Sequence, residues 1–146
     1  MIYKPTHFIL EELVCPHVFK KFGDIAWQFF DERLLMTLDI IREKLNKPIF
    51  VNNWDQDGKF DERGFRCIQC SLVKKAIKEK RLYVSPHMTG QGMDFDVEGM
   101  VASEVRLWLV KNEKILPWPI RLEGNVDWVH LDIRDAEKDK VYIFNP

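Results

Sequence analysis

The chain has 146 residues, with 22 Lys and Arg against 23 Asp and Glu and a formal net charge of −1. That length suits a single domain over residues 1–146, and 46% hydrophobic with 31% charged residues excludes a disordered or fibrous chain. Balanced charge without a dense basic patch argues against nucleic-acid binding, and no apolar run approaches the roughly 18 residues that span a bilayer, so membrane insertion is not expected.

In chain order, the opening Met1 to His7 lacks the charged, apolar and small-residue succession of an export signal, which predicts a cytoplasmic location as synthesised. From Asp31 to Asn46, Leu34, Leu38, Ile41 and Leu45 recur at helical spacing, with Glu32, Arg42, Glu43 and Lys44 on a wet face. Pro48 stops that helix, and Ile49-Phe50-Val51 reads as a short buried strand. Asn52 to Arg66 is polar and broken by Gly58 and Gly64, a long loop of the kind that is often functional. Ser71 to Lys80 predicts a second helix, whose Lys74, Lys75, Lys78, Lys80 and Arg81 form a solvated basic face. Met93 to Val97 alternates apolar and acidic residues, as a half-buried strand does. A helix over Ala102 to Asn112 follows, then strands at Ile120–Leu122, Asp127–Ile133 and Val141–Phe144. Helices early and strands late predict an α+β fold with a largely antiparallel sheet.

Two segments carry chemistry. Ser85-Pro86-His87-Met88-Thr89-Gly90-Gln91-Gly92-Met93-Asp94 places an imidazole before a glycine-rich turn and a carboxylate on the strand after it. Asp127-Trp128-Val129-His130 adds a second carboxylate and imidazole. Two His and one Asp can fill three positions of a tetrahedral Zn²⁺ and leave the fourth to water, the arrangement of a catalytic rather than a structural ion.

The first segment resembles the Ser-x-His-x-x-Gly-x-Ala-x-Asp signature of the zinc peptidase family that contains D-alanyl-D-alanine carboxypeptidases and dipeptidases and phage endolysins. The second resembles that family's acidic residue three before a His, and the likeness runs from about Phe8 to Arg134, closest to short phage or prophage members. The resemblance implies an antiparallel sheet with helices packed on one side and zinc on the exposed sheet face. It implies hydrolysis of peptidoglycan stem peptides, with action on the wall after release, or on soluble precursors in the cytoplasm. His87, Asp94 and His130 would hold zinc, and Asp127 would be the general base, with Glu123 as its rival. Because residues three apart on a regular strand face opposite sides, Asp127 and His130 share a site only if a bulge or turn separates them. Arg66 would steady the oxyanion or the substrate carboxylate, or else form a surface ion pair. Ser85 would bind substrate or orient its turn, and Trp128 would line the substrate groove. Gly92 stands where the family has Ala, a small-for-small exchange without consequence for the metal. Asp96 would orient a ligand or lie solvated at the edge.

Other signals are read more plainly. Cys15, Cys67 and Cys70 cannot all pair within one chain, and partly buried free thiols are expected, although Cys15-Pro16-His17 and Cys67-Ile68-Gln69-Cys70 are two halves of a Cys₃His pattern. Trp54 and Trp118 are expected in the core. A zinc-stabilised binding or structural module of a phage or prophage, without turnover, is the alternative to an enzyme.

Overall fold

The computed structural model describes residues 2–135 and 139–146. Two short helices, α1 (Leu10–Leu13) and α2 (Pro16–Phe22), and a 3₁₀ segment Gly23–Phe29 precede the long α3 (Glu32–Leu45). After β1 (Ile49–Phe50) and a loop with one 3₁₀ turn at Trp54–Gln56 come α4 (Ser71–Lys78), β2 (Gly92–Val97) and α5 (Ala102–Lys111). A 3₁₀ turn at Glu113–Ile115 leads into β3 (Ile120–Glu123), β4 (Val129–Asp132) and β5 (Val141–Phe144). The fold is α+β.

The ends of α3 follow from local chemistry. The Asp31 carboxylate accepts from the Arg33 backbone N–H at 3.1 Å, and Asn46 closes the helix in the left-handed region at φ 52°. Its Leu34, Leu38 and Ile41 are fully buried.

The five strands lie in the order β1-β2-β4-β3-β5. All neighbours are antiparallel except β3 and β5, which run parallel. Strand alternation sorts the side chains: Met93, Phe95 and Val97, Ile120 and Leu122, Val129 and Leu131 join the helices' Leu34, Leu38, Ile41, Val105 and Leu109 in one core. The residues between them, Asp94, Arg121, His130 and Asp132, therefore share the opposite face.

The loop after β1 is built by side chains rather than by regular structure. The Asn52 amide donates to the Val14 carbonyl at 3.1 Å and accepts from the Arg63 N–H at 2.9 Å. Phe65 bridges to Val14 beside α1, and the Arg63 carbonyl accepts from the Asp94 N–H at 2.7 Å. The loop is thus strapped between the N-terminal helices and β2. Trp54 and Trp118 are half-buried, not core; Trp27 is the tryptophan that lies in the core. The basic residues of α4 are exposed, as expected. Among the described residues no helix is long and apolar enough to cross a membrane.

Candidate metal centre

The register of β2 against β4 places Asp94 directly opposite His130, the arrangement in which side chains on one face meet. His130 Nδ1 lies 2.7 Å from Asp94 Oδ1. His87 arrives from the turn before β2, with Nε2 3.2 Å from Asp94 Oδ2. One donor atom from each of the three residues falls within 4.8 Å of the others, and all three side chains are buried. The sequence-predicted ligand set is therefore brought together.

Two glycines make this approach possible. Gly90 adopts φ +68°, and a Cβ there would sit 1.9 Å from the Phe29 carbonyl oxygen. A Cβ on Gly92 would lie 2.7 Å from the Cβ of Pro86, the residue before His87, and 3.3 Å from that of Asp132. Without a side chain at the start of β2, the turn that carries His87 packs down on the strand.

Each imidazole is oriented from behind. His87 Nδ1 is 2.9 Å from the Gly64 carbonyl, which accepts its proton and leaves Nε2 facing Asp94. His130 Nε2 is 2.8 Å from Asp132 Oδ2. Asp132, fully buried, is gripped in turn by Arg121, with Nε and Nη2 at 2.7 and 3.0 Å, and Arg121 lies over the Phe144 ring. A carboxylate behind a histidine is the outer-shell arrangement that fixes a metal ligand's orientation. Asp132 is the residue sequence reasoning missed, and its signal was available: it stands two after His130 on the same face of one strand. Asp96, considered for that role, instead pairs with Arg63 at 2.8 Å.

Burial pushes the His87 pKa down, so the ring stays neutral despite Asp94 beside it. Burial alone would raise the Asp94 pKa, but the hydrogen bond from His130 holds its carboxyl well below the usual range. For His130 burial opposes protonation, yet carboxylates on both sides, Asp132 and Asp94, push it up to about 9.

Arg66 is 9% exposed, which removes the surface ion-pair reading. Its Nη2 donates to Asp94 Oδ2 at 3.1 Å, its Nη1 to the Tyr83 hydroxyl at 2.9 Å and its Nε to the Glu62 carbonyl. Ser85 Oγ is buried with no partner among the described residues. It lines a cavity of about 290 Å³ with His87, Asp94, His130, Arg66 and Glu123. A second cavity of about 440 Å³ shares Arg66, Asp94 and Trp128 with the first and adds Asp127. Trp128, 40% exposed, stands between the two. β4 begins at Val129 rather than at Asp127, so Asp127 lies in an exposed bend ahead of the strand. Asp127 thus stands off the regular strand and lines the second cavity, whereas His130 lines the first. Glu123 ends β3 on the face that carries Arg121 and His130. Glu123 thus lines the first cavity and Asp127 the second, both outside the ligand set.

The three cysteines are free thiols, as expected, with Cys15 and Cys70 buried and Cys67 half-buried. Cys15, His17, Cys67 and Cys70 also offer donor atoms within 4.8 Å of one another. The two halves of the Cys₃His pattern, some 50 positions apart in the sequence, are thus side by side in the fold.

Comparison with family models, curated proteins and solved structures gives no match for this chain. Fold and site together define an α+β protein with two clusters of residues that could hold a metal ion, one His/Asp and one Cys/His.

Proposed function

We propose that the chain is a zinc-dependent peptidase acting on peptidoglycan stem peptides. The observation that supports this best is the convergence of two imidazoles and one carboxylate, all buried, on a cavity that also holds the unpartnered Ser85 hydroxyl and Glu123, with Asp127 in the adjoining cavity. The donors fit zinc: two imidazole nitrogens and a carboxylate oxygen, three in number, with outer-shell acceptors in place. The resemblance of Ser85–Asp94 and Asp127–His130 to the peptidase motifs supplies the substrate class.

His87, Asp94 and His130 would hold the ion, which when bound lowers the pKa of a coordinated water and polarises the scissile carbonyl. Asp127 accepts the proton of the attacking water and returns it to the departing amine. Arg66, fixed by Asp94 and Tyr83, presents its remaining N–H groups to the developing negative charge or to a substrate carboxylate. Ser85 Oγ donates to the substrate backbone, and Trp128 supports the peptide where the two cavities meet.

The test is incubation of the zinc-loaded protein with a stem pentapeptide, D-alanyl-D-alanine and cross-linked muropeptides, with products read by mass spectrometry. Zinc-dependent cleavage of at least one is expected. His87→Ala should lose both metal and cleavage, whereas Asp127→Ala should keep the metal and lose activity by roughly 10²–10⁴-fold. Metal loss in Asp127→Ala would move that residue into the ligand set, and an effect confined to Glu123→Ala would make Glu123 the base. Metal binding without cleavage of any substrate overturns the peptidase reading in favour of a metal-stabilised binding module.

A further inference from the structure

We propose that Cys15, His17, Cys67 and Cys70 form a second metal site, closed and structural, for zinc or another thiophilic divalent ion. The distances carry the inference. Cys15 Sγ lies 3.7 Å from Cys67 Sγ, and His17 Nδ1 lies 3.7 Å from Cys67 Sγ and 3.9 Å from Cys70 Sγ. Zinc bonds of about 2.3 Å to sulfur and about 2.0 Å to nitrogen, at tetrahedral angles, put S···S edges near 3.8 Å and S···N edges near 3.6 Å. The four side chains already stand close to the corners of that tetrahedron. A disulfide requires sulfurs about 2.05 Å apart, far shorter than the separation here, and would leave the third thiol and the imidazole without purpose.

Local structure prepares the donors. Cys67 to Cys70 is a tight turn closed by Cys70 N–H to the Cys67 carbonyl at 3.1 Å, which aims both sulfurs to one side. The Gln69 N–H donates to Cys67 Sγ at 3.3 Å and holds that sulfur in place. Cys15 precedes Pro16, the first residue of α2, and His17 follows one residue later, so both project from the start of that helix. Four protein donors leave no open position, and Cys15 and Cys70 are buried, which marks a structural rather than a catalytic ion.

The placement gives the site its role. Cys67 follows Arg66 directly, and Gly64, whose carbonyl orients His87, is three residues before it. An ion joining Cys67 and Cys70 to Cys15 and His17 would clamp this loop to α2, where the protein otherwise relies on the Val14–Phe65 bridge and its neighbours. The inference stands apart from the peptidase reading, because the His/Asp site takes no part in it.

Zinc content by elemental analysis, paired with cobalt substitution under reducing conditions, tests it. Wild type is expected to hold two ions per chain and, with cobalt, to show an intense sulfur-to-cobalt charge-transfer band that a His/Asp site lacks. His87→Ala should retain one ion and the full band. The double variant Cys67→Ser/Cys70→Ser should lose one ion and the band; because it risks misfolding, the decisive readings are those of wild type and His87→Ala. One ion with the sulfur band in wild type supports this site and counts against the His/Asp site. One ion without the band, or thiols that react in the zinc-loaded protein as fast as in the unfolded chain, overturns the proposal.

Discussion

At the scale of single residues, the side chains that hold others in place carry the sharpest expectations. Asp132, fully buried, orients His130 and is itself held by the half-buried Arg121. Asp132→Asn keeps the shape but removes the charge that supports the imidazole, and should weaken metal binding at the His/Asp site by roughly 10–100-fold; a chelator competition titration measures it. Asp39, on α3, gathers the Tyr3 hydroxyl, the Thr6 and His7 N–H groups and the His7 ring. Burial alone would raise its pKa, but those donors lower it to about 2 from 3.8. A carboxylate depressed in the folded state stabilises fully above its unfolded pKa and loses that contribution as pH falls through the folded value. Asp39→Asn should therefore cost about 2 kcal/mol at pH 7, most of it vanishing between about pH 4 and pH 2. Urea unfolding of both proteins across that range checks the sign and the window.

At the scale of elements, the turn over residues 86–90 and strand β2 work as a unit. The turn reaches its position because β2 begins with a residue that has no side chain, where a Cβ would lie 2.7 Å from that of Pro86. Gly92→Ala should cost about 1–3 kcal/mol through overpacking and displace His87, lowering metal affinity along with stability. Thermal unfolding and metal titration should move together; an unchanged metal affinity would show that the turn relaxes without moving the ligand. The elements also show where local pattern sufficed. The helix expected over Asp31 to Asn46 is α3 with those two residues as its caps, and the Val141–Phe144 strand matches β5 in both bounds. Those segments carry strong periodicity or sharp stops. The helices within the first 30 residues have 4 and 7 residues and no side-chain N-cap, so little in the local sequence announces them; packing against the core holds them instead.

At the scale of the whole molecule, the two clusters lie on either side of one loop. Residues 62–70 connect the Cys/His cluster to Arg66 and to the Gly64 carbonyl behind His87. Any ion bound only by the folded chain stabilises it by mass action, by about 2.7 kcal/mol at a hundred times its dissociation constant. For a chain of this length, zinc removal by a chelator should lower Tm by roughly 5–10 °C per site at that saturation. The loss should be reversed by zinc and not by magnesium, whose preference is for oxygen ligands in octahedral geometry. Differential scanning calorimetry resolves it, and an unchanged Tm would mean that neither cluster binds zinc in the folded state.

The amino-acid sequence by itself determined the α+β class, most element positions and the candidate triad His87, Asp94 and His130, because hydrophobic period and motif spacing are local and survive without a third dimension. His87 and Asp94 lie seven residues apart across a glycine-rich turn, close enough for the pattern to imply a shared site. Tertiary structure alone decided the rest. The antiparallel register sets Asp94 against His130 and lets Asp132 back it. The interruption before β4 frees Asp127, and strapping the loop to α1 brings Cys67 and Cys70 to Cys15 and His17. Those contacts join residues 36 to 53 positions apart. No local preference encodes such a meeting; it exists only once the core has closed and fixed which backbone segments lie side by side.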